Sequence, residues 1–296
     1  MYKLKSWIPE DMLTSRLSLN PRAIDYLEKN PEKIDWIFLS TNPEAMKLLE
    51  ANQDKIYWCW LSNNPAAIHL LEKNPDKINW LWLSCNPSAI PLLKKHPENI
   101  NWIYLSQNPN AIQMLEENPH KIHWRNLSYN DGAIKLLEAN LDKVDWVNLS
   151  RNPCAVQILE QNMDKIDWSM LSTNPAAIKL LERFPEKIVW VQLAQNPNAT
   201  PLFEKYPEKI VWSYMSSQTV AIDILESNPD NLDWYYLSQN SAAIHLLQEN
   251  LDKISGSPLS INPAIFEYDY SQMSRPFTEE LVATVYHPDN FKRLLL

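Results

Sequence analysis

The chain has 296 residues, of which 45% are hydrophobic, so it can build a large buried core and is not expected to be disordered. Its 36 acidic residues outnumber its 27 lysines and arginines, and the net charge of −9 argues against a nucleic-acid partner. No apolar run reaches the roughly 18 residues of a transmembrane helix, the first residues lack the apolar stretch of a signal peptide, and three cysteines without metal-ligand spacing indicate free thiols in a reducing compartment.

The first predicted element is a degenerate half repeat at the N-terminus. Pro9, Leu17 and Ser18 stand where the repeat described next has its second Pro, its Leu and its Ser. Thr14 stands where that repeat has Trp. Terminal units of repeat arrays depart from the pattern because one of their faces has no neighbour to pack on. We therefore expect residues 1–19 to form an N-terminal cap.

A repeat of 22 residues follows and occupies most of the chain. Tryptophan recurs ten times in succession without insertion or deletion, at Trp36, Trp58, Trp80, Trp102, Trp124, Trp146, Trp168, Trp190, Trp212 and Trp234. A fixed period in this range is typical of an array whose units stack on one another. The pattern predicts eleven units over residues 20–261.

Residues 64–85 form one complete unit and predict two short helices. The chain has only two glycines, too few for the tight turns of a β-solenoid, and this favours helices. Asn64 is a good N-cap and Pro65 suits the first helical position, so we predict a first helix at about 65–73. Asn74 and Pro75 repeat the start signal and predict a second helix at about 75–83. The predicted fold class is all-α, an α-solenoid of helix-turn-helix repeats.

The second half of the unit leaves an alternative open. Ile78, Trp80 and Leu83 spread over about half the circumference of a helix, which has about 100° per residue. This half could therefore be partly 3₁₀ or extended. In the extended version Ile78 and Trp80 form a short strand, and the array is an α/β solenoid like that of leucine-rich-repeat proteins.

The residues that every unit shares are expected to be scaffold. Short helices are unstable alone, so the recurring Trp is expected to bury its ring against the next unit, with Ser and Asn side chains as partners for the indole N–H. Glutamate recurs from Glu28 to Glu226 and lysine from Lys33 to Lys253, and both columns predict ion pairs between units. Catalysis requires one unlike constellation in one place. The sequence therefore predicts no catalytic residue, no cofactor and no metal site.

One variable column is the candidate binding site. The residue two positions after each Trp is aromatic in the first four units, mostly polar in the middle ones and aromatic again in the last two. An aromatic stripe on one face of a solenoid is a plausible docking surface. The alternative is that these side chains fill gaps between layers. The candidate partner-binding stripe consists of Phe38, Trp60, Trp82, Tyr104, Tyr214 and Tyr236.

The C-terminal segment, residues 262–296, departs from the repeat. Gly256 already replaces Trp in the eleventh unit, and Asn262 and Pro263 open a unit that is not completed. Thr278 is a fair N-cap for a helix to about Tyr286, and a final short helix is expected after His287. We expect these helices to shield the open end of the core.

The repeat phrase resembles that of a known family. Asn174-Pro-Ala-Ala-Ile-Lys-Leu-Leu-Glu, continued by Pro185-Glu-Lys-Ile-Val-Trp-Val-Gln-Leu, is similar to the Asn-Pro/Trp repeat proteins encoded in many copies by giant DNA viruses of amoebae and algae. The ending around Glu279, Leu281 and His287 is similar to the tail of many of them. The resemblance implies a viral protein located in the cytoplasm of the host cell or in the virion. It brings no catalytic residues.

Three functions stay open at this stage. The first is a non-enzymatic scaffold that binds another protein, host or viral, during infection. The second is a structural component of the virion that acts by self-association. The third is nucleic-acid binding in the groove of the solenoid, which the net charge disfavours. No membrane partner is expected.

Overall fold

The computed structural model describes residues 2–272 and shows an all-α solenoid of 22-residue units. This confirms the predicted fold class. Each complete unit contains two short α-helices, which we call the first and the second helix of the unit. The first helices span Ile24–Lys29, Met46–Glu50, Ile68–Lys73, Ile90–Lys95, Ile112–Glu116, Ile134–Glu138, Val156–Gln161, Ile178–Arg183, Thr200–Lys205, Ile222–Glu226 and Ile244–Glu249.

The second helices begin at the recurring Trp or, in the last case, at Gly256. They span Trp36–Thr41, Trp58–Leu61, Trp80–Cys85, Trp102–Leu105, Trp124–Leu127, Trp146–Arg151, Trp168–Ser172, Trp190–Leu193, Trp212–Ser217, Trp234–Leu237 and Gly256–Ile261. Near the N-terminus a 3₁₀ helix, Ser15–Leu19, takes the place of a second helix. Two three-residue strands, β1 at Tyr2–Leu4 and β2 at Phe266–Tyr268, are the strands of the described residues.

Short 3₁₀ turns precede most of these helices. Before first helices they are Pro43–Ala45, Pro65–Ala67, Pro87–Ala89, Asp131–Ala133, Pro153–Ala155, Thr219–Ala221 and Ser241–Ala243. Before second helices they are Glu10–Met12, Pro31–Lys33, Gln53–Lys55, Pro75–Lys77, Pro97–Asn99, Pro119–Lys121, Met163–Lys165, Pro185–Lys187, Pro207–Lys209, Pro229–Asn231 and Leu251–Lys253. Two more 3₁₀ turns, Pro263–Ile265 and Tyr270–Gln272, flank β2.

Local capping explains where the helices begin. Asn64 accepts a hydrogen bond from the Ala66 amide, so its predicted N-cap role is confirmed. The prediction that Asn74 caps the second helix was wrong, because its side-chain amide instead donates to the Leu70 carbonyl of the helix before it. Ile78 is extended, and the true N-cap is Asn79, whose side chain accepts from the Trp82 amide. The second helix therefore starts at Trp80 rather than at Pro75.

A buried asparagine ladder joins neighbouring units. The side-chain amide of Asn86 donates to the carbonyl oxygens of Ser62 and Asn64, which lie 24 and 22 residues earlier in the chain, both at 3.1 Å. Its side-chain oxygen accepts from the Ser88 amide at 3.0 Å. One fully buried side chain thus caps a helix start and ties two units together. The equivalent donors are Asn20, Asn42, Asn64, Asn108, Asn130, Asn152, Asn174, Asn196, Gln218, Asn240 and Asn262.

A serine ladder runs beside it. The Ser84 hydroxyl donates to the Trp80 carbonyl at 2.7 Å and accepts from the Asn101 amide of the next unit at 2.9 Å. The Asn101 amide lies in the extended segment just before a second helix and has no helical carbonyl to bond, so the Ser84 hydroxyl satisfies it. Leucines such as Leu71 and Leu83 and alanines such as Ala67 have no exposed surface and fill the space between these ladders.

The ladder closes on itself. Asn20 donates to the carbonyls of Ser260 at 3.1 Å and Asn262 at 3.0 Å, the same pair of bonds that Asn86 makes to Ser62 and Asn64. The Thr14 amide likewise donates to the Ser260 hydroxyl. Residues 2–272 therefore form a closed ring of twelve units. The twelfth unit begins at Asn262 and is completed by residues 2–19 from the other end of the chain.

The two strands pair with each other where the two ends of the ring meet. β1 pairs antiparallel with β2, with Tyr2 opposite Tyr268 and Leu4 opposite Phe266. Within residues 1–19, which the sequence predicts as an N-terminal cap, Ser15–Leu19 packs between Gly256–Ile261 on one side and Trp36–Thr41 on the other. The helices predicted after Thr278 and His287 lie outside the described residues. Within residues 2–272, no helix is both long and apolar enough to span a bilayer.

Candidate functional site

The second helices line the inside of the ring. Neighbouring second helices approach one another more closely than neighbouring first helices do, so the array curves toward them. A cavity of about 330 Å³ on this side is lined by residues of four successive units, including Tyr129, Arg151, Met170 and Gln195. Only a concave face can bring so many units together.

The periodicity of the helix decides which side chains face inward. In each second helix, positions 1, 4 and 5, counted from the Trp, pack on the core, as Trp80, Leu83 and Ser84 do. At about 100° per residue, positions 2, 3 and 6 point the opposite way. We call these three positions in all twelve second-helix segments the inner wall, counting the segment at Ser15–Leu19 from Thr14. The predicted stripe is position 3 of the inner wall.

Part of the stripe is a row of rings in contact, of which Trp60 and Trp82 are stacked and Trp82 and Tyr104 are tilted by 55°. The ring centroids of Trp60 and Trp82 are 5.8 Å apart with nearly parallel planes, and those of Trp82 and Tyr104 are 6.0 Å apart. Trp60 keeps 43% of its surface exposed. Tyr214 and Tyr236 form a second pair at 6.3 Å. Neighbouring stripe residues therefore touch across units and still present apolar surface to the opening.

Ring closure joins the two aromatic groups that the sequence places at opposite ends of the array. Between Tyr236 and Phe38, position 3 of the inner wall is occupied only by Pro258 and Arg16. The inner wall therefore has one aromatic arc, which comprises, in order around the ring, Tyr214, Tyr236, Pro258, Arg16, Phe38, Trp60, Trp82 and Tyr104. This arc could not be predicted from the amino-acid sequence, because its continuity depends on the closure of the ring.

The opposite arc is polar. In these four units, position 3 of the inner wall is occupied by Asn126, Asn148, Met170 and Gln192. Asn126 donates to the Ile103 carbonyl and Asn148 to the Arg125 carbonyl, both at 2.9 Å across units. The two asparagines therefore connect neighbouring units. This agrees, for this arc, with the alternative that side chains at this position fill gaps between layers.

The inner wall contains no carboxylate, although the chain has 36 acidic residues. Its charged side chains are Arg16, Arg125 and Arg151. The Arg151 guanidinium lies over the Tyr129 ring, 5.1 Å from its centroid. Asp131 lies at the rim beside this pair, and burial raises its pKa. Position 2 adds exposed aliphatic side chains, among them Ile103 at 50% and Val191 at 53%.

The ten recurring tryptophans are scaffold, though not in every predicted detail. Each is half-buried and packs on the core. The predicted indole partners do not occur within residues 2–272, since Ser84 binds the Trp80 carbonyl rather than its ring. The predicted Glu–Lys ladder was also wrong. Lysines of that column cover Trp ring faces instead, as Lys121 covers Trp102 at 4.4 Å.

The glutamates of the predicted ladder have other partners. Glu72 pairs with Lys95 and Glu160 with Arg183, both at 2.9 Å, and Glu50 contacts His69. All of these pairs are exposed and contribute about 0–1 kcal/mol each. They support the outer surface and mark no site.

Residues 2–272 contain no group of three or more His, Cys, Asp or Glu side chains placed to share a metal ion. Cys59, Cys85 and Cys154 are free thiols, and burial raises the pKa of Cys85. What the fold and its inner wall define is a closed α-solenoid ring with an aromatic, carboxylate-free inner surface. Comparisons of this chain with protein-family models, with curated proteins and with solved structures gave no significant match.

Proposed function

We propose that this chain is a non-enzymatic binding ring that holds a polypeptide segment of another protein against the aromatic arc of its inner wall. The observation that carries the proposal is the open row of contacting rings formed by Trp60, Trp82 and Tyr104. Large aromatic side chains in a row are the usual anchors of protein interfaces. The partly exposed Trp60 leaves such an anchor accessible.

The composition of the inner wall favours a polypeptide. Aliphatic side chains at position 2, such as Ile103 and Val191, add apolar area beside the rings. Apolar area of this kind gains free energy when a partner covers it, at about 25 cal/mol per Å². The missing carboxylates favour an apolar or acidic segment over a basic one.

The opening is wide enough for such a segment. Helices pack about 8–10 Å apart, so twelve of them form a circle about 34 Å across, and one helix diameter of about 11 Å leaves an opening of about 23 Å. An extended chain or a single helix about 11 Å wide fits within it. The resemblance to giant-virus repeat proteins supports a viral origin, a host or viral partner, and a location in host cytoplasm or virion.

The test compares capture by two rings. Tagged wild-type ring and Trp60→Ala/Trp82→Ala ring are used to capture proteins from infected host cells, and the bound proteins are measured by mass spectrometry. We expect a specific partner to be lost with the double variant, whose ring is first checked by circular dichroism and small-angle scattering. Tyr270→Ala removes an exposed aromatic side chain outside the inner wall and should retain the partner.

A second variant distinguishes loss of binding from loss of folding. Ile103→Glu places a carboxylate on the exposed inner wall without touching the core. It should weaken the same partner at least tenfold. Retention of the partner by both variants would refute binding at the aromatic arc. Capture of further copies of the ring itself would support self-association instead.

The inner wall also supports a second candidate, single-stranded nucleic acid. Stacked rings beside arginines are typical of surfaces that bind such strands, because every base can stack. Three arginines on a wall without acids, Arg16, Arg125 and Arg151, are the observation in its favour. A labelled oligonucleotide should then bind with an affinity that falls steeply with salt and with Arg125→Ala/Arg151→Ala. No binding at 0.1 M salt, as an approximate physiological level, would eliminate this candidate.

A further inference from the structure

Lysine covers tryptophan at five steps of the ring. In each case the lysine stands 19 residues after the Trp, in the next unit, and its ammonium group lies over the indole. The distances from Nζ to the ring centroid are 4.9 Å for Lys55 on Trp36, 4.7 Å for Lys77 on Trp58, 4.4 Å for Lys121 on Trp102, 4.9 Å for Lys143 on Trp124 and 4.6 Å for Lys253 on Trp234. A cation in this position is attracted by the negative face of the indole.

Other tryptophans are covered by a ring that stands 16 residues later. These pairs are Trp80 with His96 at 5.1 Å, Trp168 with Phe184 at 5.5 Å and Trp190 with Tyr206 at 5.2 Å. Trp146 also has a lysine at the covering position, Lys165, which pairs with Asp164. Nine of the ten units therefore supply either a lysine or an aromatic ring for the Trp before them.

Trp212 is the exception. The residues 16 and 19 positions after it are Asn228 and Asn231. A cavity of about 570 Å³ opens at this ring, and the carboxylates that line it are Glu204 and Asp223. Neither carboxylate forms an ion pair with the described residues. We call this cavity the Trp212 groove.

The chain contains a matched groove five units earlier. There Trp102 takes the place of Trp212, Lys94 that of Glu204, and Lys121 that of Asn231. The cavity at Trp102 is smaller, about 360 Å³, and is lined by both lysines. The Trp102 cavity also contains Glu117, so its lining has one net positive charge, whereas the Trp212 groove has two negative charges. The two grooves share the same backbone plan, so the fold alone does not account for the acidic groove.

We propose that the Trp212 groove binds a lysine side chain of a partner polypeptide, with its ammonium group over the Trp212 ring and facing Glu204 and Asp223. The incoming lysine would take the position that Lys121 occupies on Trp102. Cation–π attraction and two carboxylates of opposite charge to the ligand recognise it together. The proposal rests on the proposed function only in taking the ligand to be a polypeptide, since none of the residues that line this groove belongs to the inner wall.

The probe is a blocked tripeptide, acetyl-Ala-Lys-Ala-amide, titrated into the ¹⁵N-labelled ring. The indole N–H signal of Trp212, assigned by its loss in Trp212→Phe, should shift with a dissociation constant of about 1–10 mM, as for a single weak contact. The signal of Trp102 should not move. The same peptide with norleucine in place of lysine, which lacks the charge, should bind at least tenfold more weakly.

Asn231→Lys is the decisive variant because it restores the chain's own lysine at the covering position. It should leave the fold intact and weaken binding of the lysine peptide at least tenfold. Glu204→Gln/Asp223→Asn should weaken binding severalfold and reduce its dependence on salt. Unchanged binding by Asn231→Lys, or equal shifts at Trp102 and Trp212, would overturn the proposal.

The two proposals can fail separately. Trp60→Ala/Trp82→Ala leaves the Trp212 groove unaltered and should bind the lysine peptide as wild type does. If that variant loses the captured partner but still binds the lysine peptide, the lost binding depends on the inner wall and not on the Trp212 groove. A wild-type ring that captures its partner through the inner wall but shows no Trp212 shift would refute only the lysine site.

Discussion

A side chain at Gly256 would collide with the backbone of Met12, because an added Cβ would lie 2.0 Å from the Met12 carbonyl oxygen. Gly256 stands where ten earlier units have Trp. Its φ is not positive, so the requirement here is space rather than an unusual backbone conformation. The loss of the Trp side chain at this single position is what admits the N-terminal segment and lets the ring close.

Gly256→Ala should therefore weaken the closure. We expect a loss of about 1–3 kcal/mol, as for over-packing of a tight contact, because the backbone of residues 9–13 must shift. Hydrogen exchange should become faster at the amides of Lys5 and Thr14, which bond to Ile265 and Ser260. Small-angle scattering should show a larger radius of gyration.

Gly132→Ala is the matched control for this prediction. Its Cβ would also be tight, 2.7 Å from the Pro109 carbonyl, but it lies inside the array rather than at the closure. It should change the melting temperature without enlarging the particle or accelerating exchange in residues 2–19. If Gly256→Ala behaves in the same way, Gly256 is not the residue that permits closure.

The asparagine ladder should be the most sensitive polar element of the fold. Asn86→Ala removes three hydrogen bonds and leaves the buried carbonyls of Ser62 and Asn64 with fewer donors. We expect a loss of about 2–4 kcal/mol, because a buried unsatisfied group costs more than a hydrogen bond contributes. Urea denaturation measures this loss.

Asn74→Ala provides the contrast for the ladder. Asn74 is half-buried and makes one side-chain hydrogen bond, to Leu70 within its own unit. Its replacement should cost about 1 kcal/mol or less. If Asn74→Ala and Asn86→Ala lower the free energy of unfolding equally, the hydrogen bonds that Asn86 makes between units contribute no more stability than a bond within one unit.

The sequence predicts much of one unit and little of how the units meet. Asn64 and Pro65 indicate where the first helix begins, because helix capping depends only on residues that are close in sequence. The start at Trp80 was missed because the signal at Asn74 and Pro75 produces only a 3₁₀ turn before Ile78 extends the chain. Closure could not be read from the sequence, since it depends on a small rotation per unit summed over twelve units.

The candidate site shows the same division. The fixed register identifies the residues of the stripe, because position 3 varies while the Trp column does not. The continuity of the arc from Tyr236 to Phe38 requires the closure and so could not be predicted. The uncovered Trp212 becomes recognisable only once lysines are seen to lie on other tryptophans, such as Lys121 on Trp102.

Lysines that cover a Trp should stabilise the ring more than those that do not. Lys77 lies 4.7 Å from the Trp58 centroid, so Lys77→Gln should cost about 0.5–1 kcal/mol. Lys187→Gln should have almost no effect, because Phe184 already covers the Trp168 ring. Denaturation midpoints of the two variants measured side by side provide the test. A larger loss for Lys187→Gln would contradict the role given to the lysine column.

The closure should also depend on pH through Glu10. Its carboxylate accepts from the Tyr26 hydroxyl at 2.6 Å and from Lys33 at 3.0 Å, which ties the N-terminal half unit to the first unit. The hydrogen bond from Tyr26, followed by that from Lys33, holds the pKa of Glu10 below its usual value. A lowered pKa means that this stabilisation is complete above the unfolded pKa of about 4.3 and is lost as the pH falls through the folded pKa.

Glu10→Gln should therefore be less stable than wild type at pH 7 and equal to it in strong acid. The difference at pH 7 should be less than about 1 kcal/mol, because the group is exposed and screened by solvent. Thermal melts of both proteins from pH 7 into strong acid provide the measurement. Asp54→Asn changes an exposed carboxylate that has no partner within residues 2–272 and should follow wild type throughout. A difference between Glu10→Gln and wild type that persists or grows in acid would mean that the Glu10 carboxylate does not fasten the ring.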